Sequence, residues 1–337
     1  MLVTKQPVLR RFWYPVIEIK QLHQSPKSFE LLGEPIVLWL KQDGQPVAVQ
    51  DRCCHRSAKL SGGKIIDDNI RCPYHGWTFN DCGKCVHVPQ LGDNPIPSSY
   101  QVPAYKCIER YGYAWVCLGE PLVDIPEIPE ASDPDFRMIH EFYEPWKVAG
   151  LRVMENELDL AHPTFVHTTT FGSGDHPIPD VMEVKETEWG LVLEATLGVV
   201  NPPLQQQNLK MENDKTTRIL TMDWFMPFTC KLRIAYPNGL VQIIVNTTTP
   251  INDSTSQIVQ FCLRNDTEAD VLAQDVIAFD RAVTLEDKAI LETTDYDVPL
   301  NLSLEQHMMT DKPGMLMRRK LAALLKEHGE IEQTKAS

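Results

Sequence analysis

The 337-residue sequence has no apolar run of the roughly 18–20 residues a membrane helix requires. Its opening stretch, MLVTKQPVLRRFWYPV, lacks the unbroken apolar core and small-residue cleavage site of a secretory signal. Positive charge is in short supply: 32 Lys and Arg face 46 Asp and Glu, for a net charge of −14. Phosphate backbones call for a basic surface, so a general nucleic-acid binder is excluded. Internal repeats and low-complexity tracts are absent too. What remains is a cytoplasmic protein. In that reducing setting nine cysteines speak for metal chemistry or buried thiols before disulfides. The acidic surface either helps dock a partner with a basic face or is simply solvated.

What is present is a globular composition, 43% hydrophobic and 23% charged, in a chain long enough for two domains. Residues 35–120 read as β-rich. PIVLWLKQDGQPVAVQ gives two short strands around an Asp43-Gly44 turn, and RYGYAWVCLG gives another strand. The proline-rich stretch 120–136 can sustain neither a helix nor a central strand and serves as a linker. Beyond it, RVMENELDLAHPTFVH starts with helical spacing. Five β-like segments then lead to a helical pattern from about Glu268 to Thr294. A last helix, MLMRRKLAALLKEHG, ends at Gly329 with basic residues near its C-terminus. The expected domains are 1–125 (small, all-β) and 126–329 (α+β on an antiparallel sheet), with 330–337 a flexible tail.

Two clusters, Cys53-x-His55 in DRCCHRSAKLSGG and Cys72-x-x-His75 in RCPYHGWTF, are separated by residues 56–71. Two cysteines and two histidines suit one tetrahedral zinc. They equally suit a two-iron cluster with both thiolates on one iron and both imidazoles on the other. Composition leaves both open. Cys54 is a spectator thiol. Cys82-x-x-Cys85 reads as a turn with buried thiols, and Cys107, Cys117, Cys230 and Cys262 read as small core residues.

In the second half, ENELDLAHPTFVHTTTF sets Asp159, His162 and His167 among apolar residues. Asp159 and His162 are three apart and so neighbours on one helical face. Pro163 interrupts the helix, and two histidines at such a break can converge on one point. Iron(II) enzymes that use O2 without haem need two histidines and a carboxylate on one face of the metal. In the late helix, Val276, Phe279, Val283, Ile290 and Leu291 form an apolar stripe. Asp287 sits near its middle, Asp280 close by and Glu286 on the flank. A buried carboxylate needs a partner, and a metal supplies one; the other reading is a solvated helix edge. His23, His87, His140, His176, His307 and His328 have no comparable context and read as surface or local hydrogen-bonding residues.

The run CxHR…LSGG…CPYHGWTFNxxGxC, together with DxxHxxxxH after RVMEN and the late LEDKAILE, resembles the Rieske non-haem iron oxygenases across nearly the whole chain. The likeness leans to members that hydroxylate or demethylate small molecules, similar to cyanobacterial-type members and alkaloid hydroxylases. The membrane-bound chlorophyll-pathway branch differs from it in having a terminal anchor and a C-terminal CxxC. The resemblance implies a Rieske [2Fe-2S] domain followed by a helix-grip (START-like) catalytic domain. It implies Cys53, His55, Cys72 and His75 on the cluster, and His162, His167 and Asp287 on a mononuclear Fe(II) that uses O2. It further implies a homotrimer in which Asp159 bridges His75 of one subunit and His162 of the next. Electrons would come from an external reductase or ferredoxin. The chain has no plant-type ferredoxin cysteine run, and FGSGDH at 171–176 is not a dinucleotide fingerprint. Leu158, Phe165, Val276 and Phe279 are candidates for lining a substrate pocket. The competing readings are a ring-dihydroxylase α subunit and a non-enzymatic Rieske or zinc protein that carries electrons or binds a ligand.

Overall fold

The computed structural model describes residues 1–172, 178–179 and 181–335. The chain divides into two compact units: Leu9–Asp124, and Ile125–Ser337 together with Met1–Val8.

The first unit is β-rich. Its larger sheet contains β1 (Tyr14–Glu18), β2 (Lys27–Leu31), β3 (Glu34–Leu40), β4 (Pro46–Gln50), β9 (Ala104–Arg110) and β10 (Tyr113–Cys117). All pairings are antiparallel, in the order β1-β10-β9-β4-β3-β2. One short helix, α1 (Ile19–Leu22), links β1 to β2. The β3–β4 hairpin turns at Gly44 with φ of +84°, as the Asp-Gly pair predicts. RYGYAWVCLG is a turn and then a strand, because Tyr111 and Gly112 both take positive φ before β10 starts. A smaller sheet runs β5 (Lys64–Ile66), β6 (Asn69–Arg71), β7 (Thr78–Phe79), β8 (Cys85–His87). One apolar cluster joins the two sheets: Trp39, Val47 and Val49 from the larger, Ile70 and Phe79 from the smaller, with Cys53 and Cys72 among them.

The second unit is a seven-stranded antiparallel sheet in the order β11-β17-β16-β15-β14-β13-β12. These are β11 (Arg137–Trp146), β12 (Val181–Thr187), β13 (Gly190–Val200), β14 (Lys215–Phe225), β15 (Thr229–Ala235), β16 (Val241–Pro250) and β17 (Ser256–Arg264). Its helices are α2 (Gly150–Glu157), α3 (Pro163–Val166), α4 (Pro203–Leu209), α5 (Ala273–Leu291) and α6 (Lys312–Glu327). Helix α5 packs along β11, with Val276 buried against Ile139 and Cys262. It is shorter than the Glu268–Thr294 pattern suggests, because Thr267 and Glu268 hydrogen-bond locally and hold the preceding turn open.

Residues 1–8, grouped by sequence with the first domain, belong to this second unit. The terminal ammonium binds Asp297 at 2.8 Å, Thr4 binds Asp253, and the Val8 amide donates to Glu330. The same contacts tie down residues 330–335, expected as a flexible tail: the Leu2 amide donates to the Gln333 carbonyl, and the Leu300 amide to Glu332. Among the described residues no helix is long and apolar enough to cross a membrane.

Candidate functional site

In the first unit, the loop after β4 carries Cys53 and His55, and the loop between β6 and β7 carries Cys72 and His75. The two loops close in the same way. The Cys53 amide donates to the Ala58 carbonyl, and the Cys72 amide to the Trp77 carbonyl, both at 2.8 Å. Four residues after each cysteine the chain turns through positive φ, at Ser57 (+59°) and Gly76 (+77°). Gly76 is needed there: a Cβ would also stand 3.1 Å from Pro89 Cγ. The thiols point inward and the imidazoles stand half-exposed at the rim. The His55 and His75 ring centroids are 4.6 Å apart, and His55 stacks on Trp77 at 4.5 Å with an interplanar angle of 2°. Burial, with the Cys72 thiol beside it, pushes the Cys53 thiol up to about 12. His55 Nδ1 is buried with no hydrogen-bond partner. Paired buried thiols and an orphaned imidazole nitrogen are a donor set that fits a two-iron cluster. Cys54 is exposed, as a spectator should be. Of the Cys82/Cys85 pair only Cys85 is buried; Cys82 sits on an exposed turn at Gly83.

In the second unit, α2 stops at Glu157, so Asp159 and His162 lie in the break and do not share a helical face. Pro163 begins α3, where its missing amide costs nothing. The break folds His162 and His167 toward each other, their Nε2 atoms 3.2 Å apart. Asp287 Oδ1, on α5, lies 3.4 Å from each of those nitrogens. The three donor atoms fall within 4.8 Å of one another and fit a two-histidine, one-carboxylate metal site. Helix α5 presents Phe279, Asp280, Val283, Thr284 and Asp287 on one face, and that face roofs a cavity of about 140 Å³ over the sheet. Ile290, grouped by periodicity with the buried stripe, is exposed.

Two residues not singled out as ligands hold this geometry. Glu286 Oε2 lies 3.1 Å from His167 Nδ1 and also accepts from Thr170 Oγ1, while its other oxygen accepts from the Thr169 amide and hydroxyl. Burial alone would raise this carboxyl, but the bonds from Thr169, Thr170 and His167 hold it below its usual range. An ionised Glu286 keeps the His167 proton on Nδ1 and leaves Nε2 free toward the cavity. Asn156 Nδ2 donates to Asp287 Oδ1 at 3.0 Å. Neither follows from periodicity. The adjacency of Glu286 to Asp287 was the available sign, since neighbouring acids on a helix can flank one imidazole. Asp159 Oδ2 approaches His162 Nδ1 at 3.8 Å, short of a hydrogen bond, and Nδ1 is left without a partner. The other Asp159 oxygen accepts from the Ala161 amide, which fixes the carboxylate within the break.

Of the four pocket candidates, Phe279 lines the cavity. Val276 is packed in the core beneath α5, and Leu158 is buried outside the cavity wall. Phe165 is 70% exposed, because the short α3 turns that side chain outward. His307 hydrogen-bonds the Leu302 carbonyl locally, whereas His176 lies outside the described residues.

Residues 12–106 match the Rieske [2Fe-2S] domain, and residues 146–327 match the vanillate O-demethylase oxygenase C-terminal domain. The chain belongs to the Rieske non-haem iron oxygenases, enzymes with a Rieske cluster and a mononuclear iron that uses O2. It is similar to methylxanthine N1-demethylase NdmA of Pseudomonas putida, 29% identical over 336 residues, which covers 96% of this chain and 92% of that protein. Methylxanthine N3-demethylase NdmB of the same organism is 28% identical, covering 94% and 90%. Among solved structures, NdmA aligns with a TM-score of 0.82 at 27% identity, over 97% of this chain and 93% of that one. Dicamba monooxygenase, at 22% identity over 95% and 98% with a TM-score of 0.80, shares the fold.

Proposed function

We propose that this oxygenase removes a methyl group from nitrogen or oxygen of a small organic molecule, or hydroxylates it, in the cavity under α5. The convergence of His162, His167 and Asp287 on one point at the edge of that cavity carries the reading. In it, Cys53, His55, Cys72 and His75 hold the cluster, and His162, His167 and Asp287 hold the mononuclear iron. When bound, these groups supply electron relay and the activation of O2.

The residues do the rest. Glu286 and Asn156 set the orientation of His167 and Asp287, and the apolar walls from β13, β14 and β15 exclude water from the reacting carbon. Cys53 and Cys72 anchor the cluster inward, and His55 and His75 face outward, where an electron donor can reach. If the oxidised carbon is a methyl on nitrogen or oxygen, the carbinol product breaks its C–N or C–O bond and leaves as formaldehyde. The balance is one O2, two electrons and two protons in, and formaldehyde, water and the demethylated product out.

Electrons come from a separate reductase or ferredoxin. The assembly is a homotrimer in which the His75 imidazole of one subunit meets Asp159 of the next, and the compartment is the cytoplasm. The unfilled hydrogen-bonding capacity of His162 Nδ1, beside Asp159, favours that role for Asp159.

The test is Asp287→Ala. It is expected to lose the mononuclear iron and turnover while keeping the visible absorption of the cluster. Normal turnover by this variant would remove Asp287 from the ligand set. Zinc without acid-labile sulfide in the first site would overturn the reading as a whole.

A further inference from the structure

Strand β11 carries an irregularity where it pairs with β17. His140 faces Phe261 and Phe142 faces Gln260, so Glu141 is an extra residue that stands opposite none of β17. Such a bulge re-aims one side chain. Here it brings Glu141 to Asp280 on α5, with the Cys262 thiol of β17 beside them. An oxygen of each carboxyl and the sulfur all lie within 4.8 Å of one another.

The surroundings fix which atoms face which. Arg264 Nη1 donates to Gln242 Oε1 at 3.0 Å, and a guanidinium can only donate, so Gln242 Nε2 is the atom that meets Asp280 Oδ2, at 2.7 Å. Asn246 Nδ2 likewise donates to Gln260 Oε1, and Gln260 Nε2 to Glu141 Oε2 at 2.6 Å. One oxygen of each carboxyl is thus served by an amide. Glu141 Oε1 is buried and has no hydrogen-bond partner. Two ionised carboxylates have nothing to donate to each other. A single proton between them supplies the missing donor and removes one buried charge.

The charges around the pair place that proton on Glu141. Burial pushes the Asp280 carboxyl up, but the Glu141 hydrogen bond, Arg264 of β17, Arg218 of β14 and Gln242 of β16 work against it. Glu141 is pushed well above its usual range, by burial first and then by the Asp280 charge. The remaining titratable neighbours, the Cys262 thiol and the Tyr236 phenol, are both raised by burial and stay neutral. Asp280 and Asp287 stand two turns apart on the face of α5 that lines the cavity, about 10 Å along its axis. Whatever fixes Asp280 to the sheet therefore fixes the helix that presents Asp287.

We propose that a proton held between Glu141 and Asp280 locks α5 to the sheet at β11, that Glu141 is thereby a positioning residue for Asp287, and that the lock opens as pH rises. The proposal rests on the reading of His162, His167 and Asp287 as the iron site. Loss of the proton sets two buried anions against each other. The contact is complete below the ordinary glutamate range and is lost as pH rises through the raised folded value of Glu141.

The experiment is infrared spectroscopy of the protein in heavy water as a function of pH, beside anaerobic iron(II) titration of the mononuclear site in the protein that holds its cluster. The native protein is expected to show a carboxylic-acid carbonyl band that persists well above the ordinary carboxylate range, and to lose iron affinity about tenfold as that band titrates. Glu141→Gln keeps a donor toward Asp280 that cannot ionise, so it should lack the band and escape that loss. Asp280→Asn offers Glu141 an amide donor in place of a like charge and should behave in the same way, which covers the failure of either variant to fold. The imidazoles titrate alike in all three proteins, so the difference belongs to the pair. A band that survives in the variants, or an equal fall in iron affinity in native and variant protein, overturns the proposal. So does a metal other than iron that the native protein retains and the variants lose. The infrared measurement needs no iron: full iron occupancy in Asp287→Ala would sink the functional reading and leave the bridging proton in place.

Discussion

The proposed cluster loops and the proposed mononuclear centre are built on opposite plans. Each loop is closed by its own backbone, cysteine amide to a carbonyl five residues on, with a positive-φ residue in the same place in both. Their chemistry is therefore written in short, contiguous motifs. The mononuclear centre joins a break after α2 to a helix more than a hundred residues later: Asn156 meets Asp287 across 131 positions, and His167 meets Glu286 across 119. A local site can tolerate change elsewhere in the fold, whereas a long-range site depends on how α5 lies across the sheet.

The largest effect should come from Cys72→Ser. Cys72 is both a proposed ligand and part of the core shared by the two sheets, so the visible spectrum should vanish and iron content should fall by the cluster's share. If His162 and His167 still load iron in that variant, the two plans are separable; if iron is lost from both, they are not. Metal analysis with electron paramagnetic resonance reads this.

Next is Arg318→Leu. Arg318 is buried and pairs with Glu155 and Glu305, beside the segment that carries Asp159 and His162. Removing one partner of such a buried network costs about 3–5 kcal/mol. The melting temperature of the second unit should drop with the cluster spectrum unchanged. The network also gives this unit a pH dependence. Burial works to raise the Glu305 carboxyl, but Arg152 and Arg318 hold it below its usual value. Its contribution is thus complete above the ordinary carboxylate range and is lost as pH falls through the depressed folded value. Acid unfolding followed by circular dichroism should begin at higher pH in Arg318→Leu than in the native protein.

Glu286→Gln keeps the shape but removes the charge that fixes the His167 tautomer. Weakening of iron affinity or activity by about 10- to 100-fold is expected, as for other partners of metal-bound histidines. Iron titration against the native protein checks it, and no change would make Glu286 a bystander. The smallest effect contrasts the two loops. Gly76→Ala forces a side chain into positive φ and toward Pro89, at a cost of about 1–2 kcal/mol. Ser57→Gly, at the matching position, should change stability by less than about 1 kcal/mol. Equal losses in chemical denaturation would deny the loops their common geometry.

The pattern of what could be read follows from the same contrast. The hairpin at Gly44, the five late strands and the two terminal helices came from turn chemistry and periodicity, which are local. The errors lay where neighbours decide. Phe165 is apolar but rides an outward-facing turn of helix, and Ile290 is exposed although its neighbour Leu291 on the same helix is buried. Cys82 tops an exposed turn. Glu286 matters through partners on another element, Thr169, Thr170 and His167. The partners of Glu286 share one stretch, 167–170, but it lies more than a hundred positions away in the chain.

The sequence by itself supplied the candidate donors of both sites, because thiols, imidazoles and a carboxylate in short motifs are legible locally; their spacing left zinc and iron both open, and the resemblance alone pointed to iron. Tertiary structure alone decided that Asp287 turns toward the two imidazoles and that Glu286 steadies one of them. Those outcomes depend on packing α5 against a seven-stranded sheet, where a side chain's environment is set by residues far from it in the chain.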